Sequence, residues 1–244
     1  MQAHSKNKFR ISFMRKLTVG LVGIALLVIG CGNGQQESPG DQQEEAKTVA
    51  EKETQQMSPD DSVSADWQIR LDYPDRGSED DITIEQTSKG YHIVSGPRAI
   101  YYKKGMTAMV PYHFEATFTQ NNQPGPEAYG LFVGGEKLES DDQGYLYFLI
   151  RETGEYLIKR RVGSETETVV GWTAYDDIQS VKEQEKPVNT LAVEAASDSL
   201  HFMINGEQVT KIPQEQIQYT EGQTGLRINH RLDLTVEDIK LEYR

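Results

Sequence analysis

The stretch that decides the fold runs from Gly144 to Arg161, "GYLYFLIRETGEYLIKRR". In a strand, successive side chains point to opposite faces. Leu146, Phe148 and Ile150 then form one row, and Tyr145, Tyr147, Leu149 and Arg151 form the other. The first is a core row. The second is amphipathic, which suits a mid-sheet strand whose outer face is a groove rather than open water. "ETGE" (152–155) closes a hairpin, with Thr153-Gly154 as the expected two-residue turn and Gly supplying the positive φ. The returning arm ends in Lys159, Arg160 and Arg161, a run able to neutralise an anionic glycan, but alternation turns Lys159 away from Arg160, which argues against a single basic patch.

The same texture continues on both sides. From Trp67 onward, short β-branched and aromatic runs recur at intervals of about ten residues, broken by Gly, Pro, Asn and Asp. Fourteen such runs read as strands, from "QIRLDY" (68–73) to "LTVEDIKLEY" (234–243). No window sustains a helical period. "DDIQSVKEQEK" (176–186) and "PQEQIQ" (213–218) are each expected to hold a turn or two of helix within connections. Many short strands with no helix between them predict an antiparallel sandwich or barrel. In "YHFEATFT", Tyr112, Phe114, Ala116 and Phe118 share the core face, opposite His113, Glu115, Thr117 and Thr119. Leu191, Val193 and Ala195 likewise oppose Ala192 and Glu194, and Leu226 and Ile228 oppose Arg227 and Asn229. Asn205-Gly206 is the strongest short turn signal in the chain.

Upstream of Trp67 the chain is of a different kind. Arg15 and Lys16 precede an apolar run, Leu17 to Gly30, that is too short to span a bilayer comfortably but suits a signal peptide. "LVIGCG" resembles the bacterial lipobox, which implies cleavage before Cys31, a diacylglycerol on its thiol and acylation of the new amine. Two or three chains are what stable anchoring requires. The rival reading is an uncleaved membrane helix. Met14 opens "MRKLTVG", a complete signal peptide in its own right, so translation is expected to start there. Gly32 gives no inner-membrane retention signal of the aspartate kind, so an outer-membrane location is expected if the cell has one. Residues 31–65, rich in Gln, Glu, Asp, Ser and Pro, have little to bury and read as a disordered acidic spacer reaching roughly 30–35 Å.

The formal charge is −13, from 38 acids and 25 Lys/Arg. Residues 1–30 hold five of those cations and no acid, so the exported chain carries 20 against 38, or −18. Phosphate neutralisation needs a basic surface, which excludes nucleic acid as a partner. No P-loop, G-x-G-x-x-G, G-x-S-x-G or H-E-x-x-H occurs, and the lone cysteine is assigned to lipid.

The order "AYGLFVGG", "YLYFLIRETGEYLIKRR", "VVGW", "NTLAVEAASDSLHFMINGEQVTKI", "TGLRINH" and "LTVEDIKLEY" resembles the concanavalin A-like jelly roll of laminin-G-type and glucanase-like domains, over roughly residues 66–244. The resemblance implies an all-β, antiparallel two-sheet sandwich. It also implies carbohydrate binding on the concave sheet or rim loops, or adhesion. A branch found on bacterial lipoproteins is similar to 3-keto-disaccharide hydrolases. Catalytic glucanases place E-x-D-x-x-E on one strand. Here the nearest match is "VEDIKLE", and the keto-disaccharide branch's "NSG" segment is missing.

The polar rows nominate His113, Glu115, Tyr147, Arg151, Arg227 and Asn229 as a glycan groove, since sugars need aromatic faces and planar polar partners for paired hydroxyls. An ordinary solvated sheet face with cross-strand pairs accounts for the same residues. Trp67 and Trp172 read as core anchors in preference to stacking platforms for a ligand. Glu139, Asp141 and Asp142, in the loop "GGEKLESDDQG", offer hard oxygens to calcium, against the plainer reading of a solvated loop. No other cofactor is implied. The expectation is a lipid-anchored envelope protein that binds glycan without catalysis. The alternatives are an envelope glycosidase or lyase working through Glu115 with Arg151 or His113, and docking onto an envelope protein.

Overall fold

A computed structural model describes residues 66–244. The expected signal peptide, Cys31 and the spacer lie outside the described residues. Fourteen strands follow in chain order: β1 (Trp67–Leu71), β2 (Thr83–Gln86), β3 (Gly90–Val94), β4 (Ala99–Ala108), β5 (Tyr112–Gln120), β6 (Ala128–Glu136) and β7 (Gly144–Arg151). The rest are β8 (Glu155–Val162), β9 (Glu165–Ala174), β10 (Val188–Ala195), β11 (Ser199–Ile204), β12 (Glu207–Pro213), β13 (Gly222–Ile228) and β14 (Asp233–Tyr243). They form two antiparallel seven-stranded sheets. The front sheet has the order β1-β4-β13-β6-β7-β8-β9, and the back sheet β12-β11-β10-β5-β14-β3-β2.

The rows anticipated from alternation meet between the sheets. Tyr112, Phe114, Ala116 and Phe118 from the back sheet pack with Leu131, Leu146, Phe148, Ile150, Leu226 and Ile228 from the front. Phe118 meets Tyr129 at 5.2 Å between ring centroids, and Phe148 meets Phe202 at 5.3 Å. Burying each large side chain contributes about 1.5–3 kcal/mol, and such aromatic pairs add about 0.5–1.5 kcal/mol. Trp67 is a core residue as expected. Trp172 is not: it is 38% exposed on β9.

The Asn205-Gly206 hairpin forms as read, with both residues at positive φ (52° and 89°) and Ile204 paired to Glu207. The β7–β8 hairpin differs. Arg151 pairs with Glu155, leaving a three-residue loop in which Gly154 sits at φ 79° and its N–H donates to the Arg151 carbonyl at 3.0 Å. The loop is one residue longer than a two-residue turn because β7 ends at Arg151 rather than Glu152, and Arg151 and Glu155 form an ion pair across it (2.5 Å). Of the two helical expectations, only "PQEQIQ" is met, as the 3-10 turn Gln214–Gln216; 176–186 holds turns alone.

Candidate functional site

The outer face of the front sheet is a second apolar layer. Ile100 and Tyr102 (β4), Phe132 (β6), Tyr145, Tyr147 and Leu149 (β7) and Leu157 (β8) form one buried cluster with Ala128 and Leu138. These strands are apolar on both faces, which is why neither face is wet. Gly225 makes room within it. A Cβ there would lie 2.2 Å from the Tyr101 carbonyl oxygen and 2.7 Å from the Phe132 ring. With no side chain between them, Tyr102 and Phe132 meet edge to face at 6.3 Å, and the chain of rings continues through Tyr145 (5.4 Å) to Tyr147 (5.9 Å). Leu138 belongs to the β6–β7 loop. Its carbonyl accepts a bond from Arg70 Nη1 at 2.7 Å, fastening the loop to β1.

Charges are set into this layer. Arg227 donates to both oxygens of Asp72, at 2.9 and 2.5 Å, and the two side chains are 4% and 7% exposed. Burial works against the Arg227 charge, but the Asp72 carboxylate, helped by Tyr145 and Tyr147, outweighs it and the pKa is raised. The guanidinium lies 5.5 Å from the Tyr147 ring centroid. Burial pushes the Tyr145 phenol up to about 12 and raises that of Tyr147, so both stay neutral hydrogen-bonding groups at physiological pH. Arg161 is buried and donates from Nε to the Gly163 carbonyl at 2.8 Å. Further along, the Arg151 guanidinium stacks 4.1 Å from the Trp172 ring. The Thr153 hydroxyl and then Arg151 lower the pKa of Glu155, which is therefore a committed anion.

A cavity of about 380 Å³ opens beside this layer, lined by Arg70, Asp72, Asp141, Gln143, Arg161 and Ser164, among others. β1 and β8 are separated by four strands in the sheet, yet side chains from both line this one cavity. A second cavity, about 340 Å³, is bounded by Tyr102, Lys104, Lys137, Glu139 and Gln223.

Four of the six nominated groove residues share this face. Tyr147, Arg151 and Arg227 point outward from β7 and β13, and Asn229, just past β13, keeps the parity of Arg227. His113 and Glu115 do not join them. They lie on the outer face of the back sheet, where His113 meets Glu115 at 3.5 Å and Glu194 at 3.7 Å, and Lys240 meets Glu115 at 3.7 Å. The expected pairing of Glu115 with Arg151 is therefore corrected: the core of the sandwich separates them. Parity says only that a side chain leaves the core, and both sheets have such a face.

The acidic loop is arranged by its own backbone. Ser140 N–H bonds the Lys137 carbonyl at 2.9 Å, and Asp142 N–H bonds Ser140 Oγ at 3.2 Å. Glu139, Asp141 and Asp142 are exposed, and among the described residues no group of three or more His, Cys, Asp or Glu converges on a metal position. Asp72 and Arg70 carry no signal in the sequence as site residues, whereas Arg161 belongs to the basic run 159–161 and Trp172 was expected in the core rather than as a stacking platform. The row parity of Tyr145 pointed to this face, but no local signal marks Asp72, which meets a partner 155 residues away.

No family model matches the chain, and no curated protein matches it by sequence. Solved structures do match. The carbohydrate-binding module CBM66 from Bacillus subtilis superposes with a TM-score of 0.53 at 13% identity, covering 72% of this chain and 95% of that one. A Bacillus subtilis protein of unknown function with a galectin-like fold gives 0.54 at 13%, over 76% and 95%. The GH16 protein of the Bacteroides ovatus mixed linkage glucan PUL, in complex with a product, gives 0.51 at 9%, over 72% and 94%. The domain has a two-sheet jelly-roll sandwich fold like that of these structures. At these identities the likeness concerns the fold. In this jelly roll the aromatic and arginine side chains sit on the front sheet, and the open polar ladder sits on the back.

Proposed function

We propose that the protein is a bacterial cell-envelope lipoprotein, anchored through acylated Cys31, whose jelly roll binds carbohydrate without catalysis on the outer face of the front sheet. The observation that carries this reading is the union of tyrosines, arginines and one exposed tryptophan on a single sheet face. The exposed Trp172 ring supplies C–H stacking over a floor of buried tyrosines, and guanidinium groups supply paired donors to sugar hydroxyls. The structural neighbours that carry carbohydrate in their names support the same reading.

Glycoside hydrolysis uses two carboxylates, one of them protonated. On this face Asp72 is held by Arg227, and Glu155 is held by Arg151 and Thr153 with its pKa lowered, the reverse of what a general acid needs. The test is a glycan array followed by titration calorimetry on the full chain, with product release assayed in parallel. We expect binding without cleavage. Trp172→Ala should weaken it up to about tenfold, and His113→Ala should leave it unchanged. An array without a hit, or cleavage of any bound oligosaccharide, overturns the reading.

A further inference from the structure

Arg161 and Arg70 reach the 380 Å³ cavity from β8 and β1, and among the described residues neither forms an ion pair with a carboxylate. Each is held through a main-chain carbonyl instead, Gly163 for Arg161 at 2.8 Å and Leu138 for Arg70 at 2.7 Å. Arg161 is 5% exposed, and Arg70 Nε is buried without a hydrogen-bond partner. The nearby acid Asp72 is occupied on both oxygens by Arg227. The other acid of the lining, Asp141, is exposed to solvent. Burying a cation without a counter-charge is costly, so a ligand anion is what completes such an arrangement. A guanidinium presents a planar fork matched to a carboxylate, and buried Gln143 with Ser164 adds neutral partners for ring hydroxyls. The volume lies near the lower end of the range of about 300–1,000 Å³ for small-molecule sites, enough for one or two sugar rings.

We infer that this cavity takes the carboxylate of a hexuronate residue, making the domain selective for acidic over neutral glycans. The inference rests on the proposed glycan binding and names the ligand class. The −13 charge of the whole chain opposes long-range attraction of a polyanion, so selectivity comes from contact within the cavity.

The test is titration calorimetry on the full chain with trimers of galacturonate and glucuronate, their neutral galactose and glucose counterparts, and a sulfated galactose trimer. We expect at least one uronate to bind about tenfold or more tighter than its neutral counterpart, the scale of a charge-assisted hydrogen bond. Arg161→Gln and Arg70→Gln should each lower uronate affinity more than neutral affinity and so remove most of that preference. Asp141→Asn, a change at an exposed position, should tighten uronate binding a few-fold. Equal affinity for acidic and neutral trimers, a preference for the sulfate ester, or an unchanged preference in all three variants overturns the inference while leaving glycan binding in place. Failure of every oligosaccharide, acidic and neutral, overturns the proposed function together with it.

Discussion

On the back sheet, His113, Glu115, Glu194 and Lys240 form a ladder at 3.5–3.7 Å, with side chains 13–49% exposed. On the front sheet, Arg227 and Asp72 bond each other at 2.5 Å, 4% and 7% exposed, against a floor of tyrosines. Both sets point away from the same core. The difference lies in their neighbours. β5 alternates cleanly as "YHFEATFTQ", so its outer row is polar and open, whereas β7, "GYLYFLIR", is apolar on both sides and its outer row is dry. Low dielectric strengthens every polar contact in the dry layer and raises the cost of leaving one unmade. A ligand site gains from such a layer; a solvated ladder gives it little.

The sharpest way to break this comparison is to remove one carboxylate from each face. Asp72→Ala leaves Arg227 buried without its partner and is expected to cost about 3–5 kcal/mol. Glu115→Ala removes a partly solvated acid and should cost less than about 1 kcal/mol. Urea denaturation of both variants decides it. If the two costs are equal, the front layer is as wet as the back. Replacing Asp72 and Arg227 together by Leu and Met should recover most of the loss.

A smaller effect tests the packing of the same layer. Gly225→Ala forces a methyl against the Tyr101 carbonyl and the Phe132 ring and should cost about 1–3 kcal/mol. Gly171→Ala, on exposed β9 with nothing within 4 Å of the new Cβ, should stay within about 0.5 kcal/mol of the parent or stabilise slightly.

The smallest effect belongs to the back sheet. His92 Nε2 lies 2.8 Å from Asp233 Oδ1, and that hydrogen bond is the main cause of its raised pKa. A raised folded value means the stabilisation is fully present below the unfolded value of 6.5 and is lost as pH climbs through the folded one. Stability should therefore fall from about pH 6.5 upward, by less than about 1 kcal/mol because the pair is partly solvated. Asp233→Asn should flatten this dependence; thermal unfolding across pH 5.5 to 8.5 checks it.

All fourteen strands were legible in the sequence, because short alternating runs between turn residues leave little else for the chain to do. So were the two rows of β7, since parity is local. What parity does not carry is which sheet a strand joins: His113 and Arg227 looked like members of one face and sit on two. Asp72 was invisible for a related reason, its role depending on a contact with β13, far along the chain. Trp172 was misread because its size suggested a core anchor, while β9 is an edge strand whose outer row meets Arg151 rather than a second sheet.

The most direct test of the account is a map of backbone amide shift changes when the tightest-binding oligosaccharide from the array is titrated into the protein. The account predicts the largest changes in β1, β7, β8 and β9 and in the loop after β6. Changes concentrated in β5, β10, β11 and β14 would contradict it.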